Sequence, residues 1–170
     1  MTLAEFTQAN LCLPSLRGRD PAAVLSELSR ALEREHLVPA SLSLFNVALN
    51  QYFFANGDTI GAAAYSLGRL ASLHTTAFAV GQAREQFWWR NGCASVYLVF
   101  LIASPPNDSQ TESAIIGGVK RLVDDRVTLQ MIHSATRPAT MFAALSRITL
   151  SDVNVSSPRT AATASAVKSA

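Results

Sequence analysis

The sequence predicts an α/β sandwich, and three features of the chain support this fold class. Segments with apolar residues at helical spacing alternate with short β-prone segments. Ser95–Ile102 is apolar on both strand faces, a pattern typical of a central strand covered by layers on both sides. With 170 residues, the chain is long enough to bury the core of one such domain.

Five helices are predicted. The first begins at Asp20-Pro21, because an N-cap acceptor is followed by the residue best suited to the first helical position, and it runs to about Glu35. The second is expected over Ala40–Gln51, and its buried face is expected to consist of Leu42, Phe45 and Leu49. The others are expected to run from Ser109 or Thr111 to about Asp125, over Val127–Ser134 and over Ala139–Ile148.

Short extended segments complete the predicted domain, which covers residues 11–150. They are expected at Leu11–Leu16, Ile60–Tyr65 and Thr75–Val80, with a loop over Gly68–Leu73. Residues 1–10 are predicted to be a flexible lead-in. Residues 151–170 are rich in Ser, Thr and Ala without an amphipathic period, so this tail is predicted to be disordered.

Composition argues against several classes of protein. The net charge is +2 and the basic residues are scattered, so no basic stripe for nucleic acid is present. The longest apolar run, Val96–Ala103, is far shorter than the ~20 residues that span a bilayer. Cys12 and Cys93 form no CxxC motif, and the N-terminus has no secretory pattern. A cytoplasmic protein with reduced thiols, without membrane insertion, is therefore expected.

Three stretches of the chain carry a resemblance to a known family. Asp20–Leu37 is similar to a first helix with a "GLV" exit, with His36 where a glycine is usual. Gly61–Leu70 resembles the motif "GIAIPHGRL" and matches its last three residues, and Leu98–Pro105 resembles the end of the strand "VHLVFLLLVP". These motifs resemble the enzyme IIA domain of the bacterial sugar phosphotransferase system, in its fructose/mannitol/nitrogen-regulatory branch. The resemblance covers roughly residues 11 to 150, and it implies a mixed sheet flanked by helices on both faces.

The resemblance also implies a site, and the site is degenerate here. The family accepts a phosphoryl group on the histidine of its "PH" pair, and in this chain that place is held by Leu67, which has no nitrogen lone pair. The resemblance places the family's supporting arginine near Tyr52, and its second histidine near Glu112, whose carboxylate is expected to repel a phosphoryl group. No catalytic residue is therefore predicted, and the former site is predicted to comprise Leu67, Ser66, Arg69, Tyr52 and Glu112.

The three histidines do not indicate a metal centre. His36, His74 and His133 are dispersed, without the spacing and the carboxylate or thiol neighbours that metal sites need. His36 is interpreted as a helix-end residue that interacts with terminal carbonyl groups, and His133 as part of a polar stretch of a late helix. No metal ion or other cofactor is expected.

Three functions remain open at this stage. The first is a non-enzymatic regulatory domain that binds a protein partner, for which the resemblance suggests a transporter, a kinase or a phosphotransferase-system component. The second is a residual phosphocarrier that uses His74, which is expected to begin a strand beside the former site. The third is a small-anion sensor in which Arg69 and loop amides bind an anion near Leu67.

Two aromatic clusters leave alternatives open as well. Trp88 and Trp89 are either both core anchors, or one of them is exposed as a partner-binding residue. Tyr52-Phe53-Phe54 lies at the predicted end of the second helix, near the former site. Its apolar character suggests a surface or pocket that faces a protein partner.

Overall fold

A computed structural model describes residues 1–54, 59–90 and 94–151 of the chain. These residues form a five-stranded sheet covered by α-helices, which confirms the predicted α/β sandwich. The strands are β1 (Cys12–Leu13), β2 (Thr59–Ile60), β3 (Ala63–Arg69), β4 (Ala77–Trp89) and β5 (Ala94–Ser104). The helices are α1 (Pro21–Arg34), α2 (Ser41–Phe54), α3 (Ser109–Asp124), α4 (Arg126–Ser134) and α5 (Pro138–Leu145).

The sheet is mixed, with the strand order β1-β4-β5-β3-β2. Strand β5 lies at the centre, parallel to β3 and antiparallel to β4, while the short strands β1 and β2 form the edges. Phe100 and Ile102 of β5 join the core on the side of α3, α4 and α5, whereas Val99 and Leu101 join the core on the side of α1 and α2. Because side chains alternate along a strand, β5 is buried on both faces, as its sequence predicted.

Helix α1 begins and ends as its local signals predict. The Asp20 side chain accepts a hydrogen bond from the Ala23 backbone N–H at 2.9 Å, and Pro21 occupies the first turn. After the helix, His36 adopts a left-handed conformation with φ of 58°, and its backbone N–H donates to the Glu33 carbonyl oxygen. A left-handed residue is a common helix ending that favours glycine, which explains why the similar family motif has glycine at this place.

The predicted buried face of α2 is only partly right, because Phe45 and Leu49 are partly buried against the core on the α1–α2 side but Leu42 is not. The buried residues of this helix include Leu44, Ala48 and Tyr52, whereas Leu42 is 67% exposed. Leu44 packs so closely on β3 that a Cβ added at Gly68 would lie 2.2 Å from its Cδ1 atom. The glycine therefore lets this face of α2 approach the sheet, and helical spacing alone does not distinguish it from the outer face.

Two strand predictions also need correction. The predicted strand Ile60–Tyr65 is two antiparallel strands, β2 and β3, separated at Gly61, whose φ is 57°. Gly68 and Arg69, expected in a loop, are the last residues of β3 and pair with Ala103 and Ser104 of β5. Strand β3 continues to Arg69 because β5 supplies backbone partners along its whole length.

The N-terminal residues 1–10 are not a flexible lead-in. Leu3 and Phe6 are completely buried in the core on the α3–α5 side. The Leu3 backbone N–H donates to the Ile148 carbonyl oxygen at 2.9 Å, and Thr2 forms a bridge with Thr149. The prediction failed because the partners of this segment lie at the far end of the domain. The predicted disordered tail lies outside the described residues, except for Ser151.

No helix in the described ranges combines the length and the apolar character needed to cross a lipid bilayer.

Candidate functional site

The residues of interest meet where β3 and β5 end, between the end of α2 and the start of α3. Strand β3 is parallel to β5, so Leu67 lies beside Ile102 and Arg69 beside Ser104. Glu112 comes from the first turn of α3, and Gln51 from the last turn of α2. We call this cluster the β3-end site, and its members are Gln51, Ser66, Leu67, Arg69, Ser104 and Glu112.

Leu67 and Ser66 are held by α2 through the side chain of Gln51. The Leu67 backbone N–H donates to Gln51 Oε1. The Ser66 hydroxyl oxygen is buried, 3.1 Å from Gln51 Oε1 and 3.0 Å from the Ala48 carbonyl oxygen. Ser66 is therefore not available as a nucleophile, and the Leu67 side chain is a hydrocarbon packed against the core.

Arg69 and Glu112 form a bidentate ion pair across the site. Arg69 Nε donates to Glu112 Oε1 at 2.8 Å, and Arg69 Nη2 donates to Glu112 Oε2 at 2.7 Å. The Ser104 hydroxyl donates to Oε1 of the same carboxylate. The Arg69 side chain is 51% exposed, whereas the Glu112 side chain is only 4% exposed. The carboxylate thus receives three hydrogen bonds, and its negative charge offsets the positive charge of Arg69.

The ion pair sets the titration of both side chains. Burial raises the pKa of the Glu112 carboxyl. The hydrogen bonds from Arg69 and Ser104, together with the charge of Arg69, lower the pKa by more than burial raises it. The net result is a Glu112 pKa below its ordinary value of 4.5. The hydrogen bond to Glu112 and its negative charge raise the pKa of Arg69. Both side chains are therefore charged at neutral pH.

Tyr52 contacts a different part of the molecule. Its hydroxyl oxygen accepts a hydrogen bond from the Arg90 backbone N–H at 2.9 Å, and its ring packs edge-on against Trp89 at 5.0 Å. At this end of α2, the side chain that accepts a hydrogen bond from the β3 backbone belongs to its neighbour, Gln51, which the sequence did not single out. The available signal was its place one residue before Tyr52, at the same end of the helix.

The three histidines are spread over the molecule. His74 is exposed in the loop between β3 and β4, three residues before the first residue of β4, so it does not begin a strand. His133 is exposed in the last turn of α4 and stacks on Tyr97, with ring centroids 4.1 Å apart. Among the described residues, no group of three or more histidines, cysteines and acids could hold a metal ion.

Cys12 has the properties of an inert core thiol. It is completely buried, and burial raises its pKa to about 12, so the reactive thiolate is not populated at neutral pH. Cys93 lies outside the described residues.

A partly exposed apolar surface runs along α2 toward the β3-end site. Its residues recur at helical spacing and form what we call the α2 outer face: Leu42, Phe45, Leu49 and Phe53. Leu42 and Phe53 are 67% and 60% exposed, whereas Phe45 and Leu49 between them are only partly exposed and also pack against the core. The sequence of α2 contains no charged residue, so no charge is interspersed along this face.

One of the two tryptophans is a core residue and the other is exposed. Trp89 is completely buried and contacts Tyr52 and Phe87, whereas Trp88, on the other face of β4, is 64% exposed. Trp89 is a core anchor. Trp88 is a second exposed aromatic side chain.

No protein-family model matches this chain, and no curated protein matches it in sequence. Solved structures do match it in fold. Nitrogen regulatory protein IIA-Ntr from Neisseria meningitidis superposes with a TM-score of 0.73 at 15% identity, covering 84% of this chain and 98% of that one. Enzyme IIA mannitol from Escherichia coli superposes with a TM-score of 0.62 at 14% identity, covering 81% and 97%.

A third match is an Escherichia coli complex of enzyme IIA mannitol with phosphorylated enzyme IIB mannitol. It has a TM-score of 0.67 at 13% identity and covers 81% of this chain and 95% of the matched chain. Identities this low establish the fold alone. The described sheet order, the helices and these superpositions together show that this chain has the fold of the enzyme IIA domains of the phosphotransferase system, of the mannitol and nitrogen-regulatory type.

Proposed function

We propose that this protein is an enzyme IIA-like regulatory module, of the nitrogen-regulatory type, that binds a protein partner and accepts no phosphoryl group. The observation that carries the proposal is Leu67, which stands where the resembling motif has its phosphorylatable histidine. Phosphoryl acceptance needs a nucleophilic lone pair, and a leucine side chain has none. The adjacent hydroxyl of Ser66 is buried and lies within hydrogen-bonding distance of α2 acceptors, so it does not replace the histidine.

The α2 outer face supports a protein partner. Contiguous apolar side chains on a surface commonly mark a contact with another protein. This face ends at Phe53, two residues after Gln51, whose side chain binds the backbone of Leu67. A partner seated on the face would therefore also lie next to the β3-end site. One solved structure with this fold is a complex with a protein, the enzyme IIB of the mannitol system.

The chemistry of the face limits the partner. It offers apolar contact without charge, so the partner needs a complementary apolar groove or helix. A transporter, a kinase or a phosphotransferase-system component in the cytoplasm fits this role. Because no charged residue of α2 takes part, the affinity should change little between low and physiological salt.

A labelling experiment tests the silent site. The purified protein is incubated with phosphoenolpyruvate carrying labelled phosphate and with the general phosphotransferase components, beside a phosphorylatable enzyme IIA as positive control. We expect label on the control and none on this protein. Stable label on any residue would refute the proposal, and loss of that label in His74→Ala would identify a residual phosphocarrier instead.

A binding experiment tests the partner surface. The wild-type protein, the double variant Leu42→Ser/Phe53→Ser and the control Val127→Ser are used to capture proteins from the source cell. Val127 is also an exposed apolar residue, 60% exposed, but it lies on α4. We expect one partner to bind the wild type and the control but not the double variant. If the double variant folds and binds the same partner equally well, the α2 outer face is not the docking surface.

A further inference from the structure

We propose that Arg69 and Ser104 form an anion-binding subsite whose permanent ligand is the chain's own Glu112 carboxylate. This inference rests on the proposed function and deepens it. It explains why a domain that accepts no phosphoryl group would also not bind a free anion at the same place. The subsite would accept a phosphate or a carboxylate from solution only after this internal ligand has been removed.

The donors have the arrangement that arginine uses for oxyanions. The Nε and Nη2 groups of Arg69 engage the two carboxylate oxygens in parallel, at 2.8 Å and 2.7 Å. Such a fork matches a carboxylate and a phosphoryl group equally well. The hydroxyl of Ser104, which is completely buried, donates to the same carboxylate.

Two neighbouring strands fix the backbone positions from which these donors project. Arg69 and Ser104 are paired in the register of β3 and β5, so their backbones are fixed by the sheet. Glu112 belongs to a different element, the first turn of α3, where the positive end of the helix also favours negative charge. The carboxylate therefore reaches, from a separate element, two donors whose backbones the sheet keeps side by side.

The Arg69 and Glu112 side chains are buried to different extents. This difference favours a binding subsite filled by Glu112 over an ion pair in which each side chain depends equally on the other. The Glu112 side chain is almost completely buried, so its charge depends on Arg69 and Ser104. The Arg69 side chain is half exposed and can be hydrated when no partner is present. Removing Glu112 would thus leave a solvent-accessible guanidinium beside an unoccupied hydroxyl donor.

As a consequence, the charge of the β3-end site stays the same whether or not phosphate is present in solution. An incoming phosphate would have to displace a tethered carboxylate that already holds both arms of Arg69. A partner that recognises this surface would therefore meet an anion-occupied site under all conditions near neutral pH.

The test is a titration with inorganic phosphate at pH 7, followed by NMR through the Arg69 Nε–H signal and the nearby backbone amides. Three proteins are compared: the wild type, Glu112→Ala and the control Glu85→Ala. The control removes one exposed carboxylate on β4, so both variants change the net charge from +2 to +3. We expect Glu112→Ala to bind phosphate about 10- to 100-fold more tightly than the wild type, the range for gaining charge-assisted hydrogen bonds. Glu85→Ala should bind phosphate no more tightly than the wild type.

Several results would overturn the proposal. These are tight phosphate binding at Arg69 in the wild type, no gain in a folded Glu112→Ala protein, or a gain that persists when Arg69→Ala is added. If Glu112→Ala does not fold, Glu112→Gln keeps the side-chain volume without the charge and must still bind phosphate several-fold more tightly than the wild type. None of these measurements uses a phosphotransferase protein, so their failure is distinct from phosphoryl uptake, which would refute the proposed function.

Discussion

Replacing Arg69 by alanine should destabilise the fold, because the change leaves the Glu112 carboxylate buried without its cation. The wild-type carboxylate receives two charge-assisted hydrogen bonds from Arg69 and a third bond from Ser104. In the variant only the serine hydroxyl remains. Breaking a buried ion pair on one side costs about 3–5 kcal/mol, and we expect about 2–3 kcal/mol here because the arginine end of the pair is half exposed.

The loss should depend on pH in a defined direction. The folded-state pKa of Glu112 in the wild type lies below its ordinary value, so the pair stabilises the fold above that value and the stabilisation is lost as the pH falls through the folded pKa. Without Arg69, the carboxyl keeps the burial that raises its pKa and only the Ser104 hydrogen bond that lowers it, so we expect its folded-state pKa to rise. The buried charge then penalises the fold most strongly at pH 7, and protonation relieves the penalty on acidification.

Urea unfolding at pH 7 and pH 4 measures both effects through the difference in unfolding free energy between wild type and Arg69→Ala. Arg30→Ala serves as the control, since Arg30 is exposed on α1. We expect a difference of about 2–3 kcal/mol at pH 7 that is clearly smaller at pH 4. A difference below ~0.5 kcal/mol at pH 7, the value of an ordinary surface pair, would refute the reasoning, as would a difference that does not change with pH.

Three further changes test the packing by thermal and urea unfolding. Gly81→Ala would place a Cβ 2.4–2.8 Å from three atoms of Leu16, including its branch carbon, and should lower the unfolding free energy by about 1–3 kcal/mol. An unchanged unfolding midpoint would contradict this and would mean that the Leu16 side chain moves aside easily. Trp89→Ala should cost about 3–5 kcal/mol, whereas Trp88→Ala should cost under ~0.5 kcal/mol, so equal losses would contradict their assigned positions. Asp20→Ala removes the N-cap of α1 and should cost about 1 kcal/mol, while Asp20→Asn should restore most of this loss.

Features with local signals could be predicted from the sequence. The start of α1 follows from Asp20-Pro21, and the central position of β5 follows from a run that is apolar on both faces. The orientation of α2 could not be predicted in the same way. Its outer apolar residues and its buried ones have the same spacing, and the choice is made by the close approach of Leu44 to Gly68 on another element.

The site was only partly predictable for a related reason. A motif resemblance drew attention to Leu67, Arg69 and Glu112, but it gave no indication that the last two are paired. These two residues are 43 positions apart, and only the end of β3 and the first turn of α3 bring them together. Glu112 was expected to repel a phosphoryl group directly. In the structure it also neutralises Arg69, the cation that would otherwise attract such a group.

The two margins of the sheet have a consequence for self-association. Strands β1 and β2 contain two residues each, so neither offers a long row of free backbone groups to another chain. Strand β4 extends past β1, but its register is interrupted between Gln82 and Phe87, where Arg84 and Glu85 carry exposed charges. Irregular, charged margins of this kind prevent copies of a protein from polymerising by strand addition. Even at the high concentrations of a crowded cell, this molecule should resist fibril formation, and recognition by other proteins should fall to its helices.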